Sequence, residues 1–405
     1  MTSKNKNYSR RDFFKTAGAA GAGAIIAPNI LKAADKTESE SSDNAIVTTR
    51  PFGKTGVSVP TLSLGGIFDI PANQIILNLA FKFGVTYWDT ANMYGGGLSE
   101  EGVGIFFNKR PDVRKKIFLV TKSTSRDSEG MTEHLELSLK RMNTNYIDLY
   151  FLHSFGSMNE LSDEVRKWAE KQKSKGKIKL FGFSTHKNME KCMMGASKLN
   201  WIDGIMMSYN FRLMQKPEMK EAVQACFEKG IGLTAMKSQG GGSVKTETDT
   251  ELKMAGRFIK QGFTPEQAKL KAVWEDNRIS SICSLMTNST ILMANIAAAL
   301  DRTSLATRDM DLLNQYACET SSDYCAGCGH ICESAIKGKV PISDIMRHLM
   351  YHRSYGEKGS TETLDRKPAV NMKHMASLDF SLAEKKCPQK MAIGDLMKEA
   401  AEVLS

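Results

Sequence analysis

Four side chains in the first half of the chain could together move a proton to or from oxygen: Asp89, Tyr94, Lys122 and His153. A phenol is too weak an acid to give up its proton readily at neutral pH, so a neighbour must stabilise the phenolate, and an ammonium does so. In such a set Asp89 would keep Lys122 charged and in place, Lys122 would lower the Tyr94 pKa, and His153 would orient a carbonyl oxygen or share the proton. The combination fits carbonyl reduction by hydride. A second group lies near the carboxyl end, where Cys325-Ala-Gly-Cys328-Gly-His-Ile-Cys332 clusters three thiols and Cys387-Pro388 stands 55 positions beyond Cys332. Four thiols so placed suit a metal centre or disulfides. Cys192, Cys226, Cys283 and Cys318 fall within helical or strand patterns and read as buried apolar residues.

The first four residues need a frame that brings them together. Eight short β-rich runs recur between residues 61 and 285: Thr61–Leu64, Thr86–Asp89, Ile117–Lys122, Ile147–His153, Lys179–Phe183, Gly204–Ser208, Gly232–Met236 and Ser281–Leu285. Helical patterns separate them, among them Gln74–Phe83, Thr132–Met142 and Asp163–Lys175, with apolar residues at three- and four-residue spacing. Eight βα units in about 250 residues predict a barrel of eight parallel strands, which places its chemistry at the strands' carboxyl ends. Asp89, Lys122 and His153 end the second, third and fourth strands, and Tyr94 follows the second.

The motifs around these residues are similar to those of the aldo-keto reductases over about residues 51–300. Phe52–Pro60 resembles that family's opening hairpin, and Asp89-Thr-Ala-Asn-Met-Tyr-Gly95 its Asp-Thr-Ala-x-x-Tyr-Gly signature. Gly97–Glu100, Val120–Lys122, Ser138–Arg141, Tyr146–Leu149 and Gly176–Ser184 follow in the family's order. The resemblance implies that Tyr94 is the proton donor, with Asp89, Lys122 and His153 as partners, acting on a small carbonyl or alcohol substrate. It also implies a nicotinamide cofactor, NADPH or NADH, extended across the barrel mouth. Ser184 matches the residue that contacts the carboxamide and Asn295 the Asn that meets the adenine; Lys237, just after the seventh strand, is a further candidate for cofactor binding. Met206 and Met236 stand where relatives carry an amide-binding Gln and a ring-stacking Tyr; with 23 methionines in the chain, core packing is the plainer account of both. Ile291 occupies the place of an Arg that grips a 2′-phosphate, so the usual preference for NADPH does not carry over.

The carboxyl-terminal cysteines resemble a ferredoxin-like extension with one residue added between the second and third ligands. In two-cluster ferredoxins, three cysteines of one run share a cluster with the Cys-Pro cysteine of the other. By that likeness Cys325, Cys328, Cys332 and Cys387 would hold one 4Fe-4S cluster, while Ile336, Ser377, Phe380 and Ala383 stand near the places of a second cluster's ligands. Zinc and disulfides remain the alternatives. Ile342–His352 reads as an amphipathic helix with His348 and His352 four apart; lacking the Glu of H-E-x-x-H, the pair reads as an exposed face. Gly356–Pro368 is expected to be a polar loop and Ile393–Leu404 a closing helix.

Ser9-Arg10-Arg11-Asp12-Phe13-Phe14-Lys15, followed by a weakly apolar run to Ala27, resembles a twin-arginine translocation signal. That route carries folded proteins, implies the Tat machinery as a partner and a periplasmic or otherwise exported destination, and directs attention to an inserted cofactor. The chain's formal charge is +10, but the leader holds six basic residues against Asp12 alone, so the rest is too weakly basic to suggest nucleic-acid binding. No stretch outside the leader is long and apolar enough to predict a membrane span.

The expected organisation is therefore a signal peptide over 1–34, a Ser/Glu-rich tether over 35–49, a (β/α)8 TIM barrel over 50–302, and a small, mainly α, ferredoxin-like domain over 303–405. Two functions fit. In one, the barrel performs hydride chemistry and the cluster exchanges electrons with a partner protein or pins the carboxyl-terminal segment. In the other, the barrel is a scaffold for an electron-transfer or binding protein without nicotinamide turnover.

Overall fold

The computed structural model describes residues 46–240, 248–363 and 371–404. The leader, the tether up to residue 45 and part of the loop after the seventh barrel strand lie outside the described residues. Ala45–Ser405 forms one compact unit.

Strands β1 (Thr49–Pro51) and β2 (Ser58–Pro60) pair antiparallel as the expected hairpin, Thr49 opposite Pro60. The barrel follows: β3 (Leu62–Gly65), β4 (Tyr87–Asp89), β5 (Phe118–Ser123), β6 (Ile147–Phe155), β7 (Ile178–Thr185), β8 (Gly204–Ser208), β9 (Gly232–Met236) and β10 (Ser281–Leu285). Each pairs parallel with the next, and β10 closes on β3 with Ile282 beside Leu62. All eight expected strands are present, shifted by at most two residues at an end. Phe52 of the hairpin plugs the floor, its ring lying where Gly204 and Gly232 carry no side chain; a Cβ there would come within 2.8 and 2.5 Å of it.

The strands' period of two divides their side chains between two cores. Tyr87, Phe118, Val120, Leu149, Phe151 and Met206 point into the barrel with Phe52 and Val59. Their neighbours Trp88, Leu119, Tyr150, Leu152, Phe181 and Phe183 point outward into the larger core beneath the helices. Those helices are α1 (Gln74–Lys82), α2 (Leu98–Lys109), α3 (Ser128–Arg141), α4 (Asp163–Ser174), α5 (Met189–Ala196), α6 (Pro217–Lys229), α7 (Asp249–Lys260), α8 (Pro265–Trp274) and α9 (Ser289–Leu300). Several start on side-chain caps: Asp127 accepts from the Gly130 N–H, Thr264 and Gln267 form a reciprocal box, and Asn288 accepts from the Ile291 N–H.

The remaining elements are helical: α10 (Thr307–Glu319), α11 (Gly329–Ala335), α12 (Ile342–Thr363), α13 (Met372–Ala376), α14 (Ser381–Lys386) and α15 (Ile393–Val403). Leu313 and Tyr316 of α10 join the barrel's outer core. The later helices build their own small core from Val340, Ile342, Ile345, Leu349, Phe380 and Met397. Helix α12 runs eleven residues past the expected end at His352, so Gly356–Thr363 is helical where a loop was predicted. Its two glycines lower helix propensity by about 1 kcal/mol each without stopping the helix, and Pro368 is the first proline to follow. Residues 364–370 lie outside the described residues. Among the described residues no helix is long and apolar enough to cross a membrane.

Candidate active site

Strand parity aims three of the four candidates into one space. Asp89 continues the inward face of Tyr87, Lys122 that of Phe118 and Val120, and His153 that of Leu149 and Phe151. Lys122 Nζ donates to Asp89 Oδ2 at 2.6 Å and to the Thr90 carbonyl at 2.7 Å, with both charged side chains almost fully buried. The same ammonium lies 4.9 Å from the centre of the Tyr94 ring. His153 meets that ring edge-on at 5.5 Å between centroids. Burial pushes the Asp89 carboxyl above its usual range, opposed by Lys122 and by a hydrogen bond with the Cys283 thiol. Cys283, on β10, is itself pushed well above an ordinary thiol by burial and then by the Asp89 charge.

A second phenol stands nearby. Tyr87 is fully buried, bonded to Thr234 Oγ1 at 3.2 Å and raised well above an ordinary phenol by burial and Asp89. Tyr94 is half-buried, the more exposed of the two phenols. It opens the turn Tyr94–Gly97, whose three glycines take φ of 58, 66 and 107°. Arg141 holds this turn, donating to the Asn92 carbonyl at 2.7 Å and the Gly96 carbonyl at 3.3 Å while pairing with buried Glu100. A Cβ on Gly97 would lie 2.3 Å from that guanidinium. Burial raises the Glu100 carboxyl, which also accepts from Thr121 Oγ1 at 2.6 Å. The motifs around Glu100 and Arg141 are visible in the sequence; their joint hold on the tyrosine turn is not.

The expected cofactor contacts are less alike. Ser184 ends the inward face of β7 and accepts from the Ser154 N–H at 3.3 Å, leaving its own proton to donate. Lys237 follows β9 at a left-handed φ of 54°, its ammonium 4.9 Å from the Tyr351 ring centre. Asn295 donates to Ser284 Oγ at 2.9 Å. Ile291 is 39% exposed on α9. Met206 belongs to the barrel's inner core and Met236 packs against it.

Sequence reasoning did not foresee what covers the mouth. Helix α12 packs against the Tyr94–Gly97 turn. The loop before α11 and the start of that helix are fastened to the barrel rim: the Asn188 N–H donates to the Gly327 carbonyl at 2.8 Å, the His330 N–H to Asn188 Oδ1 at 2.9 Å, and Asn210 Nδ2 to the Tyr324 hydroxyl at 3.0 Å. Gly327 has φ of 79°, and a Cβ there would lie 2.2 Å from the His186 carbonyl oxygen. The expected exposed face of His348 and His352 is corrected: His348 is only 1% exposed, because α12 turns that side into the molecule. His186, which no motif marked, sits beneath this cover. Burial depresses its pKa well below the ordinary value, and Lys237, Arg347, His153 and Lys122 lower it further.

Cys325, Cys328, Cys332 and Cys387 line one cavity, walled by Ile342, Met346, Met391 and Ile393. None of the eight cysteines forms a disulfide. Among the described residues no three His, Cys, Asp or Glu side chains converge on a single-ion site. Burial pushes the Cys325 and Cys332 thiols up to about 12. Phe380 and Ala383, near the places of a second cluster's ligands, are packed into the small core.

The aldo/keto reductase family model matches residues 67–307, more than half of the chain. The chain belongs to the aldo/keto reductase family. The model of a twin-arginine translocation pathway signal matches residues 7–27, so this reductase carries a signal for export by that route. Relatives include aldo-keto reductase yakc [NADP(+)] of Schizosaccharomyces pombe, 29% identical over 218 residues, a match spanning 48% of this chain and 62% of the relative. The uncharacterised oxidoreductase YrpG of Bacillus subtilis is 26% identical over 56% of this chain and 74% of its own. The solved structure of aldo-keto reductase AKR11C1 from Bacillus halodurans superposes with a TM-score of 0.55 at 21% identity, covering 66% of this chain and 96% of that one; it bears on the reductase's fold alone.

Proposed function

We propose that this exported reductase interconverts a small carbonyl compound and its alcohol at the barrel mouth, with Tyr94 as proton donor. The observation that carries the reading is the buried Lys122 ammonium, held by Asp89 and set against the Tyr94 ring with His153 at that ring's edge. In reduction, Tyr94 gives its hydroxyl proton to the carbonyl oxygen as hydride reaches the carbonyl carbon, leaving an alcohol and a phenolate. Lys122 stabilises that phenolate, Asp89 holds Lys122, and His153 orients the carbonyl oxygen. Tyr87 is the wrong phenol for the task, because burial and Asp89 hold its proton.

NADPH or NADH, when bound, supplies the hydride. Ser184 fits the nicotinamide end, with a hydroxyl proton to offer a carboxamide, and Lys237 offers a cation to the cofactor's phosphates. At the adenine end Asn295 reaches the end of β10, and Ile291 offers no cation to a 2′-phosphate, so that position gives no preference for NADPH.

Cys325, Cys328, Cys332 and Cys387 would hold one 4Fe-4S cluster, which moves single electrons when bound. The shared cavity of the four thiols supports this reading. Four thiolates around a cluster spread over a larger body than four around one zinc ion at about 2.3 Å. A cluster there either receives electrons from a partner protein or pins α11, α12 and the Cys387 turn together.

The test is Tyr94→Phe in the full chain matured with iron. Turnover should fall by about two to four orders of magnitude, while NADPH and NADH titrations followed by nicotinamide fluorescence, and iron and sulfide content, stay as in the wild type. Unchanged turnover of every accepted carbonyl would refute the assignment and favour a scaffold.

A further inference from the structure

Between the barrel rim and α12 lies a cavity that belongs to neither part alone. His186, Ser208 and Lys237 line it from the barrel; Ser343, Arg347 and Arg353 line it from α12. Along α12, Ser343, Met346, Arg347 and Met350 recur at three- and four-residue spacing, so one helix face looks onto the mouth. The cavity adjoins the catalytic set: His186 follows β7, whose end pairs with that of β6, the strand of His153, and α12 packs against the Tyr94–Gly97 turn.

The lining is cationic. Among the described residues, Lys237, Arg347 and Arg353 face it against a single acid, Asp323. Arg353 is engaged by Glu399 through two hydrogen bonds, of 2.9 and 2.6 Å. Arg347 is only 9% exposed; Asp344, one turn before it, lies 3.6 Å away and is shared with Lys187 at 3.4 Å. The planar fork of Arg matches a carboxylate or a phosphate in two-point contact. Ser208 and Ser343 add hydroxyl donors, and Met189, Met346 and Met350 give walls that adapt to shape.

We propose that this cavity is the substrate subsite and that it selects a carbonyl or alcohol compound bearing a carboxylate or phosphate, which Arg347 pairs with while the reacting carbon lies at Tyr94. The proposal rests on the reductase reading for what happens at Tyr94, and on the cavity alone for the anion. The carboxyl-terminal segment thereby supplies specificity to a barrel whose chemistry lies in β4, β5 and β6.

Calorimetric titration of the full holo chain with 4-hydroxybutanoate, 2-hydroxyethyl phosphate and the neutral 4-hydroxybutanamide tests this. At least one anionic alcohol should bind ~10-fold or more tightly than the amide, and whichever anion binds better identifies the group the substrate carries. Arg347→Gln should abolish the preference and Arg347→Lys should retain part of it, each with unchanged iron content and NADPH affinity. If Arg347→Gln does not fold, a reduced preference in Arg347→Lys at unchanged Tm carries the same support. Equal binding of the three alcohols by the wild type overturns the proposal. So does a preference that survives Arg347→Gln, or a variant that loses iron or NADPH affinity instead, which would assign the arginine to the cluster or the cofactor. Tyr94→Phe should keep the anion preference, so a failure of the reductase reading is seen in turnover and a failure of this one in binding.

Discussion

Replacing Lys122 by Met removes a charge while keeping much of the side chain's length, and it leaves Asp89 buried without its cation. The pair is 2.6 Å apart, with the lysine and aspartate side chains 1% and 4% exposed. Removing one member of such a pair costs about 3–5 kcal/mol. Across the compact unit Ala45–Ser405, an unfolding entropy of roughly 2.1 cal/mol/K per residue turns that into a Tm lower by roughly 4–7 °C. The loss carries a pH signature. Burial already raises the Asp89 carboxyl and Lys122 opposes it, so without Lys122 the folded-state pKa rises further. A carboxyl with a folded pKa above its unfolded value of about 3.9 adds no penalty below that value, and its penalty grows as pH rises toward the folded pKa. The Tm deficit of Lys122→Met should accordingly be smaller at pH 5 than at pH 8. Adding Asp89→Asn should recover much of the Tm and none of the turnover. Scanning calorimetry of the holo protein at both pH values checks this. Equal deficits at the two pH values, or a double variant no more stable than Lys122→Met, would refute the account of a buried ion pair.

Gly327→Ala should dislodge the cysteine loop from the barrel rim, since its Cβ would meet the His186 carbonyl at 2.2 Å and φ of 79° disfavours any side chain; iron content and Tm should both fall, the latter by an amount equivalent to about 1–3 kcal/mol. Ile291→Arg on the exposed start of α9 should tighten NADPH relative to NADH about tenfold at unchanged stability, read by paired fluorescence titrations.

The barrel was legible because local signals and global shape agree. Each strand is a short apolar run, and a period of two then aims Asp89, Lys122 and His153 at the same interior. Tyr94 was legible from its motif, and its mouthward exposure from its place after β4. The cover was not. The course of α12 depends on Asn188, Asn210 and Arg212 gripping residues 108 to 142 positions later in the chain, which no periodicity records. His186 and Arg347 become neighbours only through that docking, and His348 is buried only because of it. The end of α12 was misplaced because two glycines read as a loop where a helix merely tolerates them.

The pairing of β10 with β3 joins residues about 220 positions apart, Leu62 beside Ile282, so the ring shuts only after nearly three quarters of the chain has been made. The segment that roofs the mouth is made later still. Its moorings are spread around the rim: Asn188 after β7, Asn210 after β8, and Arg212, which donates to Thr320 Oγ1 at 2.7 Å and lies over the Tyr316 and Tyr324 rings. These points take up their relative positions only on a closed ring. Chain order thus imposes an order of assembly, staves first and roof last. In a protein dispatched across a membrane already folded, a seated roof is a physical record that the vessel beneath it is complete.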